Sequence, residues 1–265
     1  MVGIISNIFN KILRRSASPV LPQRHHVRFE NQPDLIYAIG DVHGRFDLLQ
    51  KLEKMITADA KNYAGKDKLI VMLGDYVDRG PQSAQVLDHL IAAPPEGFVR
   101  TCLAGNHEQV MLNFLSAPSE TENWLKFGGV ETLGSYGIPP EQIYASKFAS
   151  RKFTQLLKAH IPDEHIQFLT NLPSMVGMQK YLFVHAGIRP GVEVDKQLDQ
   201  DLMWIRGDFL KHDWAGDRTI VHGHTPQNQP EQINGRVNID TGAYASERLT
   251  AARIVGNNIT FLFTS

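Results

Sequence analysis

Five short apolar runs, each followed at once by a glycine-containing turn that is rich in aspartate and histidine, constrain this chain more than any other feature. The first three runs, LIYAIG (35–40), LIVMLG (69–74) and FVRTCLAG (98–105), alternate with segments whose apolar residues recur at helical spacing. This alternation predicts parallel strands joined by crossover helices. The five turns read GDVHG (40–44), GDYVDRG (74–80), GNHE (105–108), HAG (185–187) and HGHT (222–225).

The turns are expected to converge on one site. The carboxyl ends of parallel strands meet at one edge of an open α/β sheet, and ligands bind just beyond that edge. The carboxylate, imidazole and carboxamide groups of the turns suit borderline divalent ions such as manganese, iron or zinc, and the single cysteine of the chain offers no thiolate set. The number of ligands predicts two ions that share Asp75, the first held also by Asp41 and His43 and the second by Asn106, His185 and His224.

The other polar residues of these turns suit the hydrolysis of a phosphate monoester. Two metal ions can clamp a phosphoryl group and lower the pKa of a shared water toward neutrality. His107 is the candidate acid for the leaving oxygen; its ring is expected to face away from the metals, with Asp78 to orient it. Arg79 and Arg206 are the candidates to grip the phosphate oxygens, because a guanidinium offers paired hydrogen bonds. Asp240 is a candidate to support a ligand histidine through a hydrogen bond.

Length and turn residues complete the predicted architecture. With 265 residues and 42% apolar side chains, the chain is expected to bury one sizeable core in a single catalytic domain over residues 35–265. Turn residues at 234–235 and 256–258 predict closing hairpins, which indicate a mixed sheet or a second sheet packed on the first. Residues 116–170 are expected to form a mostly helical insertion, and a single helix is expected over 198–210.

The first 34 residues are expected to be a tail and linker outside that domain. Residues 1–15 place apolar side chains at helical spacing and end in basic residues, but this stretch is too short to span a bilayer. It indicates one of two things: a weak membrane-surface anchor, or a tail that either docks on its own domain or makes no contact. We favour the tail. We expect a cytoplasmic protein, peripheral to the inner face of the membrane only if the anchor forms. Residues 16–34 contain several prolines and serines and suit a linker.

With these residues in view, the sequence resembles the PPP-type phosphoprotein phosphatases of the calcineurin-like metallophosphoesterase superfamily. GDVHG, GDYVDRG and GNHE match the three signature blocks of that family, and HAG and GHT match its later histidine positions. The resemblance covers roughly Leu35 to the C-terminus. It implies an α/β metallophosphoesterase fold with a central β-sandwich of mixed sheets flanked by helices, a dinuclear centre usually studied with manganese, and serine/threonine phosphatase activity. Pro226, at a position where the broader superfamily often has a second histidine, favours the PPP branch over the generic phosphodiesterases. The run DLMWIRGDF (201–209) resembles the bacterial and phage-like members, and Arg206 carries over only through that run.

Two activities fit this resemblance. The leading one is a serine/threonine protein phosphatase that acts on a phosphoprotein or a small phosphorylated substrate, and the alternative is a symmetrical bis(5'-nucleosyl)-tetraphosphatase. GDYVDRG and GNHE favour the phosphatase, since the tetraphosphatases usually depart from the Asp-Arg-Gly pattern and carry GNHD. In the insertion, Trp124, Phe127 and Tyr136 are expected either to stack on a substrate base or to pack against one another.

Two further classes are disfavoured. A non-catalytic binding module that keeps the fold would be expected to have lost a metal ligand, and none is missing. A nucleic-acid phosphodiesterase is disfavoured because the net charge is −1 and no basic stripe with interleaved aromatic residues is visible.

Overall fold

The computed structural model describes residues 23–214 and 216–264, and within them the chain forms two β-sheets that pack face to face with helices on both outer faces. The predicted α/β fold with a central sandwich is therefore confirmed. The strands are β1 (His26–Arg28), β2 (Leu35–Ile39), β3 (Lys68–Met72), β4 (Phe98–Cys102), β5 (Met175–Gly177), β6 (Tyr181–Val184), β7 (Thr219–His222), β8 (Glu231–Ile233), β9 (Arg236–Asn238), β10 (Thr250–Val255) and β11 (Asn258–Phe263).

Helices fill most of the connections between these strands. None of those in the described ranges is long and apolar enough to cross a membrane. The α-helices are α1 (Phe46–Asp59), α2 (Ser83–Ile91), α3 (Asn106–Ser116), α4 (Gly129–Ser135), α5 (Pro140–Tyr144), α6 (Arg151–His160), α7 (Asp163–Asn171), α8 (Asp199–Trp204), α9 (Gly207–Leu210) and α10 (Ala243–Ser246), and 3₁₀ helices cover Ala60–Tyr63, Glu122–Phe127 and Val194–Lys196.

The first sheet has the strand order β11-β10-β2-β3-β4. Strands β2, β3 and β4 are parallel, as the alternation of strand and helix predicts, and the hairpin of β10 and β11 adds antiparallel strands at one edge. Successive residues of β2 point to opposite faces. Tyr37 and Ile39 therefore pack under the helices, whereas Ile36 and Ala38 face the second sheet.

The second sheet has the order β1-β5-β6-β7-β9-β8 and is also mixed. Val176, Phe183 and Val221 face the first sheet and close the core of the sandwich. Leu182 and Ile220, on the opposite face, pack against α8 and α9. Because β6 and β7 are parallel, their carboxyl ends lie at the same edge, and the fourth and fifth turns begin there.

The structure corrects three details of the sequence prediction. Residues 26–28, predicted as linker, form β1 and pair with β5, and the buried guanidinium of Arg24 donates to the carbonyl oxygens of Leu169 and Leu172, both at 2.9 Å.

The helix predicted over 198–210 is two short helices, separated at Ile205 and Arg206. The third strand ends at Cys102 and not at residue 105. The amphipathic stretch over residues 1–15 lies outside the described residues.

Candidate metal centre and active site

The turns that follow the strands hold their functional side chains on strained backbone. His43, Asp75, Asp78, Arg79 and His224 have left-handed φ angles of 45°, 52°, 72°, 70° and 64°. Such a conformation costs a residue other than glycine about 1–3 kcal/mol and persists only where the surrounding structure holds it. Hydrogen bonds between the turns help to hold it: the N–H of His43 donates to the carbonyl oxygen of Asp75 at 2.8 Å. Strain concentrated at five polar residues indicates a functional site.

Two glycines of these turns make room for carboxylates. A Cβ atom on Gly105 would collide with the carboxylate of Asp75, and one on Gly223 would collide with the carboxylate of Asp41. A larger residue at either position would displace an acidic side chain from the site. Glycine is therefore required there by the close approach of the functional groups.

Asp75 lies at the centre of the site, between two groups of imidazoles. Its Oδ2 is 3.6 Å from Nε2 of His43 and 3.9 Å from Nε2 of His107, and its Oδ1 is 3.4 Å from Nε2 of His185. Two buried triads bring candidate ligand atoms within 4.8 Å of one another: His43–Asp75–His107 and Asp75–His185–His224. A carboxylate common to both triads is the arrangement expected of a ligand shared by two ions.

Nε2 of His185 is surrounded by acceptor atoms. Nδ1 of this ring donates to the carbonyl oxygen of Leu73 at 2.9 Å, which leaves Nε2 without a proton in the neutral ring. Around Nε2 lie Oδ1 of Asn106 at 2.9 Å, Nδ1 of His224 at 3.1 Å and Oδ1 of Asp75 at 3.4 Å. The lone pairs of Nε2 and of the two side-chain oxygens repel one another unless a cation lies among them. The donor set therefore fits a divalent ion bound by imidazole, carboxylate and carboxamide groups.

Burial keeps the ligand histidines in the form that binds metal. It lowers the pKa of His43, His185 and His224 below the ordinary value of 6.5. The positive charge of Arg79 lowers the pKa of His43 further, and that of Arg206 acts in the same way on His224. These imidazoles are consequently neutral at neutral pH, with a lone pair available for a metal ion.

Asp41 is buried beside the two triads. Both of its carboxylate oxygens lie 3.2 Å from the N–H of His224, which donates to them. Burial, followed by the negative charges of Asp240 and Asp75, raises the pKa of Asp41 well above its ordinary value. A bound cation would relieve this repulsion, so Asp41 also fits a metal centre. The hydrogen bond predicted from Asp240 to a histidine is not among the contacts of the described residues; its carboxylate accepts the N–H of Gly242 at 2.9 Å.

His107 and Asp78 form a buried hydrogen-bonded pair. Nδ1 of His107 lies 2.6 Å from Oδ2 of Asp78. Nε2 of His107 faces Oδ2 of Asp75 at 3.9 Å and the guanidinium of Arg79 at 3.2 Å. The prediction that this ring faces away from the metal ligands is therefore wrong. Because a carboxylate holds Nδ1, Nε2 is the nitrogen available to exchange a proton with a substrate.

Two arginines border the site. The guanidinium of Arg79 lies 3.0 Å from Nε2 of His43 and 3.2 Å from Nε2 of His107, and the ring of Tyr244 lies 4.5 Å from it. Arg206 occupies the break between α8 and α9, where its φ of −136° and ψ of −93° depart from the helical region. Burial lowers the pKa of Arg206, and the site carboxylates act against that shift, so its charge lies within their electrostatic reach. Both cations are thus placed to receive an anionic substrate.

Comparison with known proteins agrees with this geometry. Residues 35–256 match the calcineurin-like phosphoesterase family. The chain belongs to this family. A relative from Anoxybacillus flavithermus (strain DSM 21510 / WK1), named bis(5'-nucleosyl)-tetraphosphatase PrpE (asymmetrical), is 30% identical over 236 residues, which cover 81% of this chain and 88% of the relative.

Two solved structures share the fold of this calcineurin-like phosphoesterase. A candidate diadenosine tetraphosphatase superposes with a TM-score of 0.65 at 20% identity, covering 91% of this chain and 99% of that one. A cold-active protein-tyrosine phosphatase from a psychrophilic Shewanella species superposes with a TM-score of 0.62 at 20% identity, covering 92% and 83%. At this identity the likeness establishes the fold alone. Family membership and the donor set together make the chain a metal-dependent phosphoesterase.

Sequence reasoning missed Glu108, on which the site of this calcineurin-like phosphoesterase depends. Glu108 ends the GNHE block, and its buried carboxylate accepts the N–H groups of Asp75 and Gly105, both at 2.8 Å, and of Tyr76 at 2.7 Å. It therefore ties the third turn to the second. An acidic residue at the third position of a helix is a capping signal, which indicated a link to Gly105 but not to the neighbouring turn.

Trp124 and Tyr136 do not form the surface for a substrate base that was one of the two expectations for the insertion. Trp124 is 1% exposed, and its ring packs 4.7 Å from Phe114. The hydroxyl of Tyr136 is hydrogen-bonded to Nδ1 of His165 at 2.7 Å. Both side chains are committed to contacts inside the protein, so neither is free to stack on a substrate base.

Proposed function

We propose that this calcineurin-like phosphoesterase cleaves dinucleoside tetraphosphates asymmetrically, into a nucleoside monophosphate and a nucleoside triphosphate. The observation that carries this proposal is the relative from Anoxybacillus flavithermus, which is named for that activity and is 30% identical over 81% of this chain. The sequence patterns favoured a protein phosphatase, with symmetrical cleavage as the alternative. The name of the relative supports a dinucleoside tetraphosphate substrate, as that alternative does, but asymmetrical instead of symmetrical cleavage.

An aromatic side chain at the mouth of the site supports a nucleotide substrate. Tyr244 is 39% exposed, and its ring lies 4.5 Å from the guanidinium of Arg79 and 5.4 Å from the ring of His43. Asymmetrical cleavage breaks the bridge between the first and second phosphates, so one ribose and its base lie close to the bond that breaks. Stacking of a base on an aromatic ring contributes about 1–3 kcal/mol to binding.

The side chains of the site have distinct proposed roles in this reaction. Arg79 and Arg206 bind the phosphate oxygens, which holds the phosphorus over the metal ligands. His107 donates the proton of Nε2 to the leaving oxygen, and Asp78 holds the opposite nitrogen of the ring. When bound, two divalent ions, for which we propose manganese with iron or zinc as alternatives, polarise the phosphoryl group and lower the pKa of a water. The residues proposed to hold them are Asp41, His43, Asp75, Asn106, His185 and His224.

Hydrolysis of phosphoserine or phosphothreonine in proteins is the second candidate, and the buried pair of His107 and Asp78 favours it. The oxygen of a serine side chain is far more basic as a leaving group than the phosphate of a nucleotide, so it depends more on a proton donor. The GDYVDRG and GNHE blocks support this candidate through their resemblance to the bacterial and phage-like members of the PPP-type phosphatases.

Kinetics on both substrates with the manganese-loaded full chain test the proposal. We expect a higher kcat/KM for diadenosine tetraphosphate than for a phosphoserine peptide, with AMP and ATP as products in equal amounts on ion-exchange chromatography. ADP as the sole product would contradict asymmetrical cleavage, and a higher kcat/KM for the peptide would favour the second candidate. Asp75→Asn is expected to be inactive on both substrates. Glu141→Gln, which changes an exposed carboxylate outside the turns, serves as the matched control.

A further inference from the structure

The helical insertion holds the carboxylate of Asp78 together with His107. This fully buried carboxylate receives hydrogen bonds from Nδ1 of His107 at 2.6 Å, from Nε1 of Trp124 at 2.8 Å and from the hydroxyl of Thr132 at 2.7 Å. Trp124 lies in the 3₁₀ helix before α4 and Thr132 lies in α4, so neither belongs to the turns that carry the predicted metal ligands. Donors on both oxygens leave the carboxylate a single orientation, the one that faces the imidazole.

Thr132 fixes the backbone of Asp78 as well as its side chain. The hydroxyl oxygen of Thr132 accepts the N–H of Asp78 at 2.8 Å while the same hydroxyl donates to Oδ1 of that residue. Asp78 has a left-handed φ of 72°, a conformation that needs such support. Thr132 is fully buried, so removal of its hydroxyl would leave a buried N–H with one acceptor fewer.

Close packing fixes the position of Trp124. Its indole packs 4.7 Å from the ring of Phe114 in α3, and a Cβ atom on Gly129 would collide with the indole. The carbonyl oxygen of Gly128 accepts the N–H of Arg79 at 3.4 Å, and Gly128 has a φ of 108°, which favours glycine. The start of α4 is therefore docked directly on the turn that carries the proposed acid partner.

We propose that Trp124 and Thr132 are positioning residues that act through Asp78 on proton delivery by His107. This inference rests on the proposed function, in which His107 is the proton donor. In that step the oxygen of a water forms the new bond to phosphorus. The bond from phosphorus to the leaving oxygen breaks, the electron pair stays on the leaving oxygen, and the Nε2 proton of His107 is transferred to that oxygen. The proton that the water loses restores the imidazolium. Trp124 and Thr132 keep the carboxylate aimed at Nδ1, so that Nε2 faces the substrate.

Matched variants separate the hydrogen bonds of the two residues from their bulk. Thr132→Val removes the hydroxyl at nearly constant volume, whereas Thr132→Ser keeps it. Trp124→Phe removes the indole N–H and keeps an aromatic ring. Tyr136→Phe is the control within the insertion, because its hydroxyl is hydrogen-bonded to His165 at 2.7 Å and, within the described residues, not to His107 or Asp78. Melting temperature and metal content are measured for every variant, so that loss of fold or of metal is recognised.

Two measurements read the position of the His107 ring. The first is kcat of the manganese-loaded chain on phosphate monoesters whose leaving groups range from p-nitrophenol to an unactivated alcohol. Good leaving groups need little help from a proton donor and poor ones need much, so a misplaced acid affects only the latter. The second is the proton NMR signal of the His107 ring N–H in zinc-loaded protein, since a hydrogen bond of 2.6 Å to a carboxylate shifts that signal far downfield.

We expect Thr132→Val and Trp124→Phe to lose about 10- to 100-fold in kcat on the alcohol ester, less than the loss of a complete general acid, and to change little on p-nitrophenyl phosphate. Both should weaken the downfield signal, and Thr132→Ser and Tyr136→Phe should match wild type in both measurements. An equal loss on every leaving group, or an unchanged signal in Thr132→Val, would overturn the inference and leave the proposed function intact. Wild-type protein that binds metal but hydrolyses no phosphate ester would overturn the proposed function and this role together.

Discussion

Among the residues that are not predicted metal ligands, Glu108 is the one whose replacement should disturb the site most. Oε2 accepts the N–H groups of Asp75 and Gly105 at 2.8 Å each, and Oε1 accepts those of Tyr76 at 2.7 Å and Val77 at 3.3 Å. Asp75, which both triads share, has a left-handed φ of 52°. Burial, followed by the charge of Asp75, raises the pKa of Glu108 to about 7. The four hydrogen bonds therefore offset both the strain of the turn and the burial of the carboxylate.

Glu108→Gln should destabilise the protein by up to about 3 kcal/mol. Glutamine keeps one oxygen, which can still accept from Tyr76 and Val77. Its amide nitrogen then replaces the oxygen that faces Asp75 and Gly105, so two buried N–H groups lose their acceptor at a cost of about 1–3 kcal/mol each. The neutral amide also avoids the cost of burying a charge, since a pKa of about 7 in the folded chain against an ordinary 4.5 corresponds to about 3 kcal/mol at pH 7. The net loss is therefore up to about 3 kcal/mol, and at roughly 2 °C per kcal/mol for a domain of this size the melting temperature should fall by up to roughly 6 °C.

Thermal unfolding followed by circular dichroism, with EDTA and then with manganese, measures this change. We also expect the variant to gain less stability from manganese than wild type does, because a shifted Asp75 binds metal more weakly. The control is Glu141→Gln, which replaces an exposed carboxylate by the same chemical change. A Glu108→Gln protein with the melting temperature of the control and the full stabilisation by manganese would refute the reasoning.

Three further predictions follow from individual contacts. Tyr244→Ala should raise KM for diadenosine tetraphosphate by about 5- to 100-fold through lost stacking, whereas Tyr244→Phe should stay close to wild type. In Tyr244→Ala, KM for a phosphoserine peptide should be unchanged, and equal effects on both substrates would contradict base stacking. Arg79→Lys should lower kcat/KM by roughly 10- to 150-fold, the equivalent of one charged hydrogen bond. An ammonium cannot span the positions that the guanidinium reaches beside His43 and His107, and full activity would contradict the role of Arg79 in phosphate binding. Burial lowers the pKa of His222 to about 3, so as pH falls below 6.5 the unfolded chain takes up a proton that the folded chain does not, and the free energy of unfolding falls. In urea titrations with EDTA, the stability of His222→Leu relative to wild type should therefore rise by roughly 2 kcal/mol between pH 7.5 and pH 5, and a constant difference would contradict the shifted pKa.

The sequence was sufficient to predict where the candidate site lies, because strand ends determine it. Asp75 and Asn106 follow β3 and β4, parallel neighbours whose carboxyl ends share one edge of the first sheet. His185 follows β6 of the second sheet, and the packing of the two sheets brings it to the same site. These features depend on short-range patterns that a single segment of sequence carries.

The rest depended on contacts between segments that are distant in the chain. Strand β1 has three residues in a proline-containing stretch, and only its pairing with β5 makes it a strand. The hydrogen bond of Trp124 to Asp78 joins residues 46 positions apart, so an aromatic residue in an insertion without motifs suggested substrate stacking and not support of the acid pair. The link from Glu108 to the second turn spans a similar distance. No local periodicity encodes such partners.

The central claim is that two metal ions share the carboxylate of Asp75. Titration of the metal-free chain with manganese, followed by electron paramagnetic resonance, tests it most directly, because two manganese ions bridged by one ligand give an exchange-coupled spectrum. We expect two ions per chain with a coupled spectrum in wild type, and loss of the coupling in Asp75→Asn. A single uncoupled ion in wild type, or a coupled pair that persists in Asp75→Asn, would contradict it.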